Sequence, residues 1–309
     1  MRTRGSAPLV YLRNVKFRVL VVAVACAAIA AGVVLYRTWS ISPMALLRRL
    51  PSDGAVIVSI DFGELRRAGV LGIFGASRAA QEPEYLAFVR QTGFDYLKDL
   101  DSALISFHSS GTYFLLRGRF NWKALGEYAT RQGGNCGDSF CRVAGSVPGR
   151  KISFFPLRRD VMALAVGADA SAATRLQTVG PRFAEVPGDP VWSLIPIAAL
   201  KQNGSLPPGT AVFVQALDGA RSVVLAASPE GTRVAVRLDA TCGSAAQAAA
   251  LATRLRDITA HLRDAVATPD PKDLGGVLAA GVFEQKEVHV LGRWPVEREF
   301  LESLAGGAL

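Results

Sequence analysis

Residues 50–58 read LPSDGAVIV, and residues 206–214 read LPPGTAVFV. Both open on Leu-Pro, both place Ala-Val at the sixth and seventh positions, and both carry valine at the ninth. A turn followed by β-branched residues is a strand signal. The pair therefore predicts two strands that each begin a similar unit. A second echo supports this. Gly118-Arg119-Phe120-Asn121 and Gly292-Arg293-Trp294-Pro295 each read as a passage from strand to helix. Together they predict an α+β fold built from an internal repeat: two similar halves of antiparallel sheet with covering helices, residues 51–180 and 181–309. A right-handed βαβ crossover in each half, as in ferredoxin-like units, is compatible with this pattern.

Outward from these openings, Pro83 to Gln91 reads as a helix, with Pro83 suited to its first turn and Gly93 to its stop. Leu71 to Ala79 reads as irregular. Leu104–Phe107 and Thr112–Arg119 form a hairpin about His108-Ser109-Ser110-Gly111, and Asn121 caps a helix that ends near Arg131. Strands follow at 139–144, 152–157 and 161–166, then a short helix at 170–176. Val179–Asp189 is a connector between the halves. Beyond it lie strands at 222–227 and 233–238, then a helix capped by Ser244. Its apolar stripe is Ala248, Leu251, Leu255, Ile258 and Leu262. A last hairpin, 281–283 with 288–293, precedes a terminal helix beginning at Gly292–Pro295.

Val191 to Leu200 is apolar out of proportion to its neighbours. Ten residues are too few to cross a bilayer. The stretch reads either as a buried helix turn or as an exposed apolar lip made by Trp192, Leu194, Ile195 and Ile197.

Toward the amino end, residues 19–36 read VLVVAVACAAIAAGVVLY without a charge. As a helix they rise roughly 27 Å, close to the ~30 Å hydrocarbon core of a bilayer. Five basic residues and no acid occupy positions 1–18, which keeps that end in the cytoplasm. Tyr36 and Trp39 suit the far headgroup layer. The reading is a single-pass signal-anchor in a bacterial inner membrane: a cytoplasmic tail (1–18), a transmembrane helix (19–36), a connector (37–50) and an extracytoplasmic, periplasmic domain. Two rival readings stay open. Ala28-Ile29-Ala30 has the small-x-small form of a cleavage site, and Cys26 could carry a lipid.

The formal net charge is +9, of which the first 18 residues supply five. The basicity thus largely belongs to the tail, and no tract interleaves basic with aromatic residues. Nucleic-acid binding is disfavoured. Cys136 and Cys141 bracket Gly137-Asp138-Ser139-Phe140, where a tight turn would bring two hairpin positions face to face. In an oxidising compartment they are a disulfide candidate; free thiols are the other reading. Cys242, before Gly243-Ser244, reads as a small buried apolar side chain, although a helix start would favour its thiolate.

Catalytic signals are sparse. His108 beside Ser109 and Ser110 is an imaginable nucleophilic pair without an orienting third group. His261 sits between Asp257 and Asp264 on a helix surface, and His289 alternates with valines in a strand with no acid at matching spacing. Asp95, Asp99 and Asp101 match no calcium loop and suit turns and caps. No phosphate loop or dinucleotide fingerprint appears. No catalytic, cofactor-binding or metal-binding residue is assigned, and no cofactor.

The single anchor, the Leu-Pro-x-x-x-Ala strand opening and the Gly-Arg-aromatic junction resemble an uncharacterised group of single-pass bacterial envelope proteins with a duplicated α+β outer domain. The resemblance covers most of residues 50–305. It implies a fold and an address, and it carries no functional residue. The expected function is a non-enzymatic binding or interaction module facing the periplasm or cell exterior. Its partners would be the bilayer, through residues 19–36, and an envelope protein or ligand. An envelope hydrolase and a lipid or apolar-ligand carrier are the alternatives. The carrier would need a lined cavity under Val191–Leu200.

Overall fold

The computed structural model describes residues 41–75, 82–181, 186–202, 210–231, 233–265 and 274–305. The apolar span at 19–36 lies outside the described residues, as do residues 206–209 of the second Leu-Pro opening and residues 266–273. Among the described residues no helix is long and apolar enough to cross a membrane. The chain divides into two compact units, residues 1–46 and 47–309. All of the described strands belong to the second unit.

The centre of that unit is one sheet of 12 strands. In chain order they are β1 (Val56–Asp61), β2 (Leu100–His108), β3 (Gly111–Gly118), β4 (Asn135–Gly137), β5 (Phe140–Ala144), β6 (Lys151–Arg158), β7 (Val161–Gly167), β8 (Val191–Pro196), β9 (Ala220–Glu230), β10 (Arg233–Cys242), β11 (Val282–Lys286) and β12 (His289–Glu297). The spatial order is β11-β12-β10-β9-β8-β1-β2-β3-β7-β6-β5-β4. Every pairing is antiparallel. The fold is therefore α+β with a large antiparallel sheet. The ferredoxin-like expectation fails, because that unit needs parallel neighbours and none is present among the described strands.

The connection order runs alike on both sides of the central β1–β8 pair. Outward from β1, a three-strand meander is followed by the helix Trp122–Arg131, and the chain returns so that β7 pairs with β3. Outward from β8, a three-strand meander is followed by the helix Ala245–Ala265, and β12 pairs with β10. By this order the counterpart of β1 is β8.

Several expectations are corrected. LPPGTAVFV does not begin a strand: Thr210–Ala216 is helical, and Phe213, Ala216 and Leu217 bury one side in the core. Their i, i+3, i+4 spacing is helical, and it outweighs the local valine alternation. Val191–Leu200 is not a single helix turn: Val191–Pro196 is a central strand, and only Ile197–Gln202 is helical. Trp192 is buried, whereas Leu194, Ile195 and Ile197 are half-buried. Gly292–Pro295 lies inside β12, and the terminal helix begins only at Arg298. Leu71–Gly75 is a short helix rather than irregular chain.

The first half of the sheet has two unlike faces. Ile57, Leu104, Tyr113, Leu115, Ala163 and Phe155 point to one side, and each is at most 7 % exposed. That side is closed by the chain around Pro51, whose carbonyl accepts from Ser106 Oγ, and by the 3-10 helix Ala172–Gln177, whose Ala173 N–H donates to Ser153 Oγ. Arg48 and Arg49 donate to the carbonyls of Gly180, Leu176 and Gln177, tying the entering chain to the end of that helix. The opposite side carries Val58, Ile105, Phe114, Leu164 and Phe154, all only half-buried. In the second half the 21-residue helix Ala245–Ala265 covers the sheet. Ala248, Leu251 and Leu255 sit in a core with Val223, Leu238, Val290 and Trp294. The stripe read from the sequence faces that core, and Ser244 Oγ accepts from Gln247 N–H at the helix start.

Candidate functional site

At the end of the sheet where β1 begins, a groove of about 740 Å³ opens over β1, β2 and β3. Its floor includes Val56, Phe107 and Thr112; its rim includes Asp53, His108, Arg150 and Ala199. Phe107 is 50 % exposed, unusual for a large apolar side chain within a strand. Of Val191–Leu200 only Ala199 lines the groove; Val191–Pro196 is a strand of the sheet.

His108 and Ser110, beside this groove, do come together. Gly111 makes the approach feasible: it lies opposite Gly167, its φ is +149°, and a Cβ there would stand 2.7 Å from the Val166 carbonyl oxygen. The turn folds Ser110 Oγ to 2.8 Å from His108 Nδ1, and the Ser110 N–H donates to the same nitrogen at 3.1 Å. Nδ1 is therefore an acceptor of the Ser110 N–H. Arg175 Nη1 donates to Ser110 Oγ at 3.1 Å, and the Tyr113 hydroxyl is hydrogen-bonded to the same oxygen at 2.8 Å. Ser110 Oγ is thus held by three side chains, His108, Arg175 and Tyr113. The arrangement is a clasp that fastens the β2–β3 turn to the 3-10 helix. Among the described residues no carboxylate orients His108.

The other sequence-marked residues are dispersed. Cys136 and Cys141 stand opposite each other across β4 and β5 and are disulfide-bonded, with sulfurs 2.03 Å apart. Asp138 and Ser139 both take positive φ in the two-residue turn between them, as a type I′ hairpin requires. Asp95 caps the helix Tyr96–Asp99 through the Leu97 N–H, accepts from the Tyr85 hydroxyl at 3.0 Å and pairs with Lys98. Burial pushes the Tyr85 hydroxyl up, and its hydrogen bond to Asp95 adds to that. Burial also works to raise Asp95, but hydrogen bonds from Lys98, Tyr85 and the Leu97 N–H outweigh it and hold the carboxyl below its ordinary value. Asp99 accepts from Arg119 and from the Asp95 N–H, while Asp101 is exposed, so the three acids do not converge. Among the described residues no group of His, Cys, Asp and Glu side chains gathers as a metal site.

His261 Nδ1 lies 2.8 Å from the Asp257 carbonyl of its own helix. His289 has a partner that sequence reasoning missed: Asp239 Oδ1 is 2.8 Å from its Nδ1. Thr241 lies directly opposite His289, so Asp239 is its diagonal neighbour, visible only once the β10–β12 register is known. Cys242 is 3 % exposed, and burial pushes its thiol up, away from the reactive thiolate. Arg233, Arg237 and Arg293 are each paired with an acid, at Glu297, Asp189 and Glu230 respectively. Sequence reasoning also missed the groove. Its signal was the alternation of Ala103, Ile105 and Phe107 along β2, which puts all three on one face.

The sequence matches no known family model and no curated relative. Among solved structures, crystal forms I, IV and III of TP0453 are similar to this chain at 9 %, 9 % and 10 % identity, each with a TM-score of 0.49. Each covers 86 % of this chain, and the match spans 97 %, 96 % and 98 % of the respective TP0453 chains.

Proposed function

We propose that the protein is a single-pass bacterial envelope protein. Residues 19–36 hold it in the inner membrane with its amino terminus in the cytoplasm, and the domain beyond them is a non-enzymatic binding module on the outer side. The matching connection order on either side of the β1–β8 pair fits a duplicated α+β unit, with the halves meeting at the 179–189 connector.

The observation that carries the address is the Cys136–Cys141 disulfide, in a hairpin where Cys136 is exposed. Such bonds persist outside the cytoplasm and are reduced within it. The non-enzymatic reading is supported by the place of Ser110 Oγ in the turn, where His108, Arg175 and Tyr113 hold it and, among the described residues, no carboxylate orients His108. The groove beside it is the binding site of this reading.

Thiol trapping in cells tests the address. After rapid acid quenching and maleimide alkylation without reductant, Cys136 and Cys141 are expected to stay unlabelled, and to label fully once reduced. Full labelling before reduction would place the domain in a reducing compartment and contradict the proposal.

A further inference from the structure

The groove continues as a row of side chains that crosses six strands. Val56 faces Phe107, Phe107 faces Thr112, Thr112 faces Val166, Val166 faces Ile152, and Ile152 faces Val143. Directly opposed residues share a face, so all six line the open side of the sheet. At an interstrand spacing of about 4.8 Å the row is about 24 Å long. Five of its members are only half-buried, and Phe107 is half-exposed. On β1, β2, β3, β7 and β6 the opposite face is buried at Ile57, Ser106, Tyr113, Ala165 and Ser153, so on those strands the openness is specific to this side.

The rim adds charge. Arg150 lines the groove, is exposed, and has no ion pair among the described residues. His108 accepts at Nδ1, which leaves its Nε2–H as a donor on the same rim. Asp53 is the acid that lines the groove. Val147, next to the lining residue Pro148, is 56 % exposed and extends the apolar surface beside Arg150.

A row of five apolar side chains and Thr112, edged by a free guanidinium and a ring N–H, complements an extended hydrocarbon tail with an anionic head. We propose that this row is the bed of a binding groove for one long acyl chain, with its anionic head at Arg150 and the His108 Nε2–H. The inference rests on reading the groove as the binding site of the module, and it names the ligand class.

Photolabelling tests it. The full chain, reconstituted in phosphatidylcholine nanodiscs, is irradiated with a photoactivatable palmitate and its peptides are mapped. Label is expected in the peptides carrying Phe107–Thr112 and Val166, and unlabelled palmitate should compete where butyrate does not. Phe107→Asp should lower the label roughly tenfold or more, the equivalent of about 1.4 kcal/mol, while Phe107→Leu retains it. Arg150→Glu, on an exposed turn, should weaken competition by palmitate several-fold and leave competition by the neutral cetyl alcohol unchanged. Equal label in Phe107→Asp and the unsubstituted protein, label confined to other surfaces, or crosslinks joining two copies at Phe107 would each overturn the proposal. In nanodiscs the chain is already embedded, so absent label would count against the ligand and leave the anchoring to its own test.

Discussion

Ser110 is the residue on which the chemical reading turns. If its oxygen fastens the β2–β3 turn, Ser110→Ala leaves the Tyr113 hydroxyl, on a side chain 1 % exposed, short of a partner. The expected cost is about 1–3 kcal/mol in chemical denaturation. Adding Tyr113→Phe should recover part of it, because the orphaned hydroxyl is then gone, and a double-mutant cycle reads the difference. Asp95 and Tyr85 give a pH signature. The folded Asp95 carboxyl lies below its unfolded value of about 3.9, so its stabilisation is complete above about pH 4 and disappears as pH falls through the lowered folded value. Tyr85 is raised, so its contribution is present below about pH 10 and declines above it. Denaturation midpoints measured against pH should lose the acid-side slope in Asp95→Asn. At this scale the local signals were legible: the Asn121 and Ser244 caps and the Gly93 stop are all where the sequence reads them. What escaped were partners set by register, such as Asp239 for His289 and Arg175 for Ser110, which lie 50 and 65 residues away along the chain.

Elements are punctuated by proline and glycine for reasons the pairings make plain. Pro156, Pro196, Pro229 and Pro295 all lie within strands. Each stands two residues past the last residue paired with the neighbour on one side: Phe154 with β5, Leu194 with β1, Ala227 with β8 and Arg293 with β11. A residue lacking an N–H is tolerated where a flanking strand has ended. Pro295 reads as starting a helix because a sequence does not reveal where a neighbour stops. Val191–Pro196 misleads for a related cause: a strand with neighbours on both sides and apolar groups on both faces loses its alternation. Glycine gives the test at this scale. A Cβ on Gly118 would collide with the Asp99 carbonyl oxygen and lie 3.1 Å from Leu100 Cα, both backbone atoms that cannot turn aside. Gly118→Ala should therefore cost about 1–3 kcal/mol. Gly126, in the helix Trp122–Arg131, has no such neighbour within 4 Å, and Gly126→Ala should stabilise by up to about 1 kcal/mol. Gly292, the apparent counterpart of Gly118, instead makes room for Phe283 and Trp294. The two Gly-Arg-aromatic stretches are alike in letters and unlike in use.

For the whole molecule, the α+β class and the antiparallel sheet were legible from strand and helix periodicity, and a repeated unit was suspected through matches that join non-equivalent elements. LPSDGAVIV leads into a central strand, whereas the described part of LPPGTAVFV is helical. The topology shared on the two sides of β1–β8 left no such linear trace, because a sheet keeps its order through pairing geometry while its side chains change. The groove arises at this scale too: on β1, β2, β3, β6 and β7 one face is buried at Ile57, Ser106, Tyr113, Ser153 and Ala165 and the other is left partly open. The central claim, that residues 19–36 hold this sheet on the outer side of a membrane, is tested most directly by protease accessibility of the full chain, carrying a C-terminal epitope, in spheroplasts and in lysed cells. The account predicts that the epitope sediments with membranes and is degraded in intact spheroplasts, while a cytoplasmic control survives until lysis. An epitope that resists protease until lysis, or that is recovered in the soluble cytoplasmic fraction, would contradict it.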